Sequence, residues 1–245
     1  VGVTYGPGLV GALLVGVAEA KAIAYAKKLP LVGVHHIEGH VSANYIEHPD
    51  LEPPFLCLIV SGGHTHLVIV KITGSLRFWE EPEMTRQEKP LIKLPGLLVW
   101  AIREDRKLTS CQRRKSGCDT VPESEVGDCP YDFSFSGVKS AVLNYLNQAQ
   151  MKGEEVNRAD LAASFQKAVV DVLVEHTMMA AKDFGMKKVA IAGGVASNGT
   201  LRAAMEKPVK KMVISFPPSP IFCTDNAAMI GVAAYYEYKK GTRHG

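Results

Sequence analysis

Short apolar runs that break on glycine limit the fold of this chain more than any other feature of it. Val1-Gly2-Val3-Thr4 leads into Tyr5-Gly6-Pro7-Gly8, the run 55–60 into Ser61-Gly62-Gly63-His64, and the run 188–192 into Gly193-Gly194. Runs of this length bounded by glycine turns predict buried strands. Between the first strand and the apolar run 31–34, Leu13, Val17, Ala20 and Ala24 recur at helical spacing over 9–27, and Leu29-Pro30 ends the helix. Runs 55–60 and 66–72 around the glycine turn read as a hairpin. Leu161, Phe165, Val169, Val172 and Leu173 share one face of a long helix, 188–192 leads through its glycines into another helix, and 214–216 is a last short strand. Strands alternating with helices, with one hairpin, predict a mixed α/β layered fold.

Composition narrows the class. With 245 residues, 47% of them hydrophobic, the chain can bury a real core as one large domain or two lobes, which excludes a disordered or collagen-like protein. A net charge of +3 does not by itself announce a nucleic-acid binder. Five cysteines without a CxxC pair argue against a disulfide scaffold and for a reducing compartment. No run of about eighteen apolar residues and no leader pattern occurs, so the expectation is a cytoplasmic chain without a membrane segment. A strand that starts at residue one needs a neighbour for its backbone groups, which reads as a fragment lacking its true N-terminus.

Two places carry candidate chemistry. His36 and His40 stand four apart, and on a helix this places both imidazoles on one face, as a divalent metal requires. Glu38 lies between them and points elsewhere, so the pattern is not the HExxH of a metalloprotease. Surface or capping histidines show the same spacing; Asp225 completes a ligand set only where the fold brings it alongside. Ser61-Gly62-Gly63 and Gly193-Gly194 both follow strands, where missing Cβ atoms let backbone N–H groups approach an anionic oxygen. Either pair alone also fits a plain tight turn; together they point to nucleotide phosphates. Asn198 is a cap or a ligand contact in the helix that follows. Phe133-Ser134-Phe135-Ser136-Gly137 reads as one more strand-to-turn element.

Taken together, TYGPGLVGALLVG from Thr4, HHIEGHVSAN from His35, LIVSGGHTHLVIV from Leu58, YDFSFSGVKSAV from Tyr131, AGGVASNGTLR from Ala192 and FCTDNAAMIG from Phe222 resemble the TsaD family, also called Gcp or YgjD, whose archaeal and eukaryotic relatives are the catalytic subunit of KEOPS. SGGH, where archaeal relatives usually carry SGGN, points to the bacterial branch. The resemblance implies an α/β, actin-like and sugar-kinase-like (ASKHA) two-lobed fold with its first lobe incomplete. It divides the chain into 1–54, a remnant of the first lobe with the metal-binding helix, and 55–245, the second lobe. The implied activity transfers threonylcarbamoyl from threonylcarbamoyl-adenylate to the N6 amine of the adenosine beside the anticodon in tRNAs reading ANN codons.

Carried over residue by residue, the resemblance implies metal ligands at His36, His40 and Asp225 for one divalent ion, Fe or Zn. It implies acyl-adenylate contacts at Ile59, Val60, Ser61, Gly62, Gly63 and Asn198, with Gly193 and Gly194 as further candidates. No side-chain nucleophile is required, because the mixed anhydride is already activated; no residue is singled out to take the amine proton. Implied partners are tRNA, a TsaB-type paralogue near helix 9–27 and a TsaE-type ATPase. Lys139, Lys187, Lys188, Lys210 and Lys211 offer positive charge to RNA, although exposed lysines usually only solvate a surface.

Between 78 and 129 the periodicity is lost, and the family's strings are missing there. Regrouping permitted codons one base upstream turns 79–95 into LGGTRDDAAGEAFDKVA and 100–111 into GYPGGPKIDKL; the remaining frame turns 120–127 into RFPRVKLE. Three single-base slips of one sense account for the passage, a reading that resequencing tests directly. The aspartate and glycine that relatives use there to hold the nucleotide are then absent, so this chain is expected to be poorly packed or disordered over that stretch and to be inactive itself. Three alternatives stand beside the transferase: a carbamoyltransferase for a non-RNA acceptor, a nucleotide-binding assembly scaffold, and a metalloprotease.

Overall fold

The computed structural model describes residues 1–61, 65–72, 75–78, 136–207, 212–217 and 219–243. The lost periodicity beyond Phe78, the FSFSG element up to Phe135, and Gly62, Gly63, Lys210 and Lys211 lie outside the described residues.

Strand β1 (Gly2–Gly6) is followed by helix α1 (Val10–Lys27), and β2 (Val32–His35) returns parallel to β1, with Gly2 opposite Val32 and Thr4 opposite Val34. The helix ends where Lys28 takes a left-handed conformation (φ 52°) and its N–H reaches the carbonyls of Ala24 and Tyr25. The short helix α2 (His36–Ser42) starts directly from β2 and passes into a 3-10 turn, Ala43–Ile46.

A second sheet has the order β5-β4-β3-β6-β7. Strands β3 (Phe55–Val60) and β4 (Thr65–Ile72) form the hairpin read from the sequence, Val60 facing Thr65, and β5 (Ser75–Phe78) extends it antiparallel. Helices α3 (Ser136–Lys152) and α4 (Arg158–Asp183) then lead to β6 (Lys188–Ala192), parallel to β3. A 3-10 turn (Gly194–Ser197) and α5 (Gly199–Glu206) connect to β7 (Val213–Ser215), parallel to β6. The chain closes with α6 (Pro220–Cys223) and α7 (Ala227–Lys239). Strand, helix and parallel strand occur twice, as β1-α1-β2 and as β6-α5-β7.

β3 explains why the second sheet is central. All six of its side chains are buried and alternate between two cores. Leu56, Leu58 and Val60 face the α4 side with Leu173, Ala180 and Ile191, while Phe55, Cys57 and Ile59 face α2 and α7 with Ile37, Val41 and Tyr236. At about 1.5–3 kcal/mol per fully buried large aliphatic side chain, this one strand supplies a large share of the driving force. Burial also pushes the Cys57 thiol far up.

α7 reaches back across the chain and packs on β1, β2 and α2, placing Ala233 and Ala234 against Val32 and Val34. The approach is close: a Cβ on Gly2 would stand 2.5 Å from the Ala234 Cβ, and one on Gly39 2.7 Å from Ile230 Cδ1. Glycine at both positions lets α7 tie the N-terminal pair of strands to α2.

Candidate metal centre and glycine turns

Helix α2 starts directly after β2, and His36 and His40, four apart on it, fall one turn apart on the same face. Their rings stand edge to face, 4.7 Å between centroids. Asp225, in the loop between α6 and α7, brings Oδ1 to 3.4 Å from His36 Nε2 and 3.3 Å from His40 Nε2. The three candidate ligand atoms lie within 4.8 Å of one another. A tetrahedral ion with ligands near 2.0–2.1 Å sets its donors about 3.3 Å apart, so both nitrogen-to-oxygen spacings match one cation between them. Two imidazoles and a carboxylate are a donor set for borderline ions such as zinc or iron. The His40 side chain is 3% exposed and the Asp225 side chain 77%, which leaves the group open on one flank, where a substrate oxygen can enter.

The surroundings tune the charges. Glu38, on the opposite side of α2 from the ligating face, has its carboxyl raised to about 7 by burial and by the nearby Glu237, with Lys240 pulling the other way. Lys240 is itself bound to Glu237 at 2.9 Å, and Thr242 donates to the other Glu237 oxygen at 2.8 Å. Glu38 therefore belongs to the contact of α2 with the end of α7. Burial, and then the neighbouring His36, lower the pKa of His35.

β3 and β6 are parallel neighbours, so their carboxyl ends, where a bound anion is best served by turn amides, lie on one edge of the sheet. Gly193 has φ +88°, and a Cβ on it would fall 2.3 Å from the Val60 carbonyl oxygen and 3.3 Å from the Ser61 nitrogen. The second turn thus abuts the start of the first. Ile59 and Val60 point their side chains into the cores, so they offer a ligand only backbone. Gly193-Gly194 does not open an α-helix, as the sequence reading had it. The 3-10 turn Gly194–Ser197 intervenes, and the helix dipole begins at Asn198, whose Oδ1 accepts from the Leu201 N–H at 2.9 Å. Asn198 is the cap of α5, and its oxygen is committed to that role.

Positioning residues escaped the sequence reading. Asn226 caps α7 by accepting from the Met229 N–H at 2.8 Å, and its amide donates to the Thr224 carbonyl at 2.8 Å, closing the turn that presents Asp225. An Asn directly ahead of an apolar helix carries a capping signal that could have found it. Asn44, fully buried just past α2, donates to the Ile191 carbonyl at 3.3 Å and ties the histidine helix to β6. Nothing in the sequence announces that contact across 147 positions.

Comparison with known proteins gives the following matches. The model of TsaD, tRNA N6-adenosine threonylcarbamoyltransferase, matches residues 1–232. A Clostridium botulinum (strain 657 / Type Ba4) protein with that name is 51% identical over 246 residues, covering 99% of this chain and 72% of its own length. One from Clostridium novyi (strain NT), with the same name, is 53% identical over 245 residues, 98% of this chain and 72% of that protein. Among solved structures, T. kodakarensis HypF has a TM-score of 0.55 at 15% identity, covering 92% of this chain and 39% of that chain. Full-length HypF in its phosphate- and nucleotide-bound form has a TM-score of 0.53 at 14% identity, over 91% of this chain and 38% of that one. The likeness to these structures is one of fold alone, a mixed α/β architecture.

Proposed function

The chain belongs to the TsaD family of tRNA N6-adenosine threonylcarbamoyltransferases, and from that premise we propose how its residues serve the transfer. The donor is threonylcarbamoyl-adenylate and the acceptor is the N6 amine of the adenosine next to the anticodon in tRNAs reading ANN codons. His36, His40 and Asp225 hold one divalent cation, Fe or Zn. When bound, the cation supplies Lewis acidity that polarises the carbonyl under attack and orients the threonyl carboxylate. Ser61, Gly62 and Gly63, together with Gly193 and Gly194, present backbone N–H groups to the adenylate phosphate, stabilising the charge that develops as AMP leaves. Ile59 and Val60 contribute main chain alone, and Asn198 contributes its amide while its oxygen holds α5.

The observation that carries this reading is the convergence of two histidines from one helix and an aspartate far along the sequence at 3.3–3.4 Å. The bond that forms joins the N6 nitrogen to the carbamoyl carbon, the bond that breaks joins that carbon to the phosphate oxygen, AMP is the leaving group, and the N6 amine releases one proton to the medium. Labelled-threonine incorporation into tRNA, with and without chelator, tests it. Incorporation that falls on chelation and in His40→Ala is the expected result, and incorporation indifferent to both overturns the metal assignment.

No helix among the described residues is long and apolar enough to cross a membrane, and a tRNA substrate supports a cytoplasmic place of work. The partners are a TsaB-type paralogue and a TsaE-type ATPase. α1 is the surface we assign to the paralogue, because Val10, Leu14, Val15 and Tyr25 on it and Leu9 just before it are all exposed. We assign 1–54 to a remnant of the first lobe, carrying the metal-binding helix, and 55–245 to the second; the packing of α7 on β1, β2 and α2 supports their contact.

A further inference from the structure

Arg202 sits one turn into α5, and side chains on a helix lean toward its N-terminus, so the guanidinium lies back over the 3-10 turn that ends at Ser197. There it makes four contacts at once. Nε donates to the Ala196 carbonyl at 2.6 Å, and Nη2 donates to the Pro217 carbonyl at 3.0 Å and to Cys223 Sγ at 3.6 Å. The guanidinium carbon also lies 5.0 Å from the centre of the Phe216 ring. Ala196 belongs to the glycine turn; Cys223 is two residues before Asp225. The planar fork of donors in arginine suits such a bridge, and an ammonium cannot reproduce it.

The position of Asp225 depends on contacts of this kind. Its side chain is 77% exposed, so no packing fixes it. The loop that carries it is held at the far end by the Asn226 cap and at the near end by Cys223, which is fully buried and bound to Arg202. The histidines stand on a different element, α2. We propose that Arg202 is a positioning residue: by bridging the glycine turn to the Pro217–Cys223 stretch it sets the Asp225 carboxylate at ligating distance from His36 and His40. The inference rests on the metal reading above. It makes the geometry of the cation site answer to the turn proposed to hold the adenylate.

The test uses the full 245-residue chain, stripped with chelator and titrated with Co(II), whose d–d absorption reports coordination. Arg202→Met is expected to bind Co(II) about tenfold more weakly, within the range usual for residues that orient metal ligands, with a weakened d–d band. Arg202→Lys keeps the charge and the aliphatic stem but loses the fork, and is expected to fall between; should the Met variant lose its circular dichroism, the Lys variant carries the test alone. Loss of affinity in Arg202→Lys with an unchanged melting temperature is a result that a merely structural role would not give. Wild-type affinity and spectrum in every folded Arg202 variant, while Asp225→Ala is impaired, overturns the inference and leaves the metal reading standing. An unaltered chain that shows no Co(II) band dependent on His36 and His40 overturns the metal reading and this inference with it.

Discussion

At the scale of single residues, exposure decides what each member of the metal triad does when it is removed. Asp225 is exposed and among the described residues its carboxylate touches only the two rings, so Asp225→Ala is expected to weaken metal binding at least about tenfold while changing the folding stability of the metal-free chain by no more than about 0.5 kcal/mol. Denaturant titration beside metal titration separates the two. Gly193 is the opposite case. Its φ of +88° and the Val60 carbonyl 2.3 Å from a would-be Cβ mean that Gly193→Ala must push β3 and β6 apart. The left-handed backbone alone costs about 1–3 kcal/mol. Chemical denaturation should show a loss of at least that size, and a stability equal to wild type would disprove the close approach. The histidine pair was legible in the sequence because helical spacing is local. The third ligand was not, because 185 positions separate Asp225 from His40, and only the resemblance to a family supplied it.

At the scale of elements, the helices were read well where one face is buried. Over α1 the stripe Leu13, Val17, Ala20 and Ala24 is the face turned inward, while Leu14 and Val15 between them are exposed. The start of α5 was read less well. A glycine pair after a strand looks like a helix entry, yet the tight contact with Val60 and the 3-10 turn delay the helix until Asn198 can cap it. Asn198→Ala therefore has two separable consequences. Losing the cap costs about 1 kcal/mol, read by thermal or denaturant melting. Asn198→Asp restores the cap oxygen and removes the amide, so weaker AMP binding in a variant of near-normal stability would assign the amide to the ligand; unchanged AMP affinity would leave Asn198 a cap only.

For the whole molecule, two features stand out. The cation site joins elements from both ends of the chain, so a bound ion cross-links α2 to the loop before α7. Ion at one hundred times its dissociation constant adds about 2.7 kcal/mol to stability, and the melting temperature should fall on chelation and recover on adding metal back. A melting temperature blind to chelator would argue against a folded-state site. The other feature is α1, apolar on nearly every side, with Leu14 65% and Val15 73% exposed. Leu14→Lys with Val15→Lys should leave stability within about 0.5 kcal/mol and abolish pull-down by a TsaB-type paralogue, as both side chains face solvent. Retained capture would move the partner surface elsewhere.

What the sequence determined alone was local or periodic: the alternation of strands and helices, the hairpin at β3–β4, the two imidazoles on one helical face, and the glycine turns that follow strands. These follow from steric rules that act over a few residues. Tertiary structure alone decided which distant pieces meet: Asp225 against His36 and His40, Ser61 against Gly193, Asn44 against Ile191, and Arg202 across Ala196, Pro217 and Cys223. Such contacts are set by how a buried sheet is ordered and how α7 packs back onto β1 and β2, and a side chain gives no local sign of the carbonyl or carboxylate that packing will bring to it.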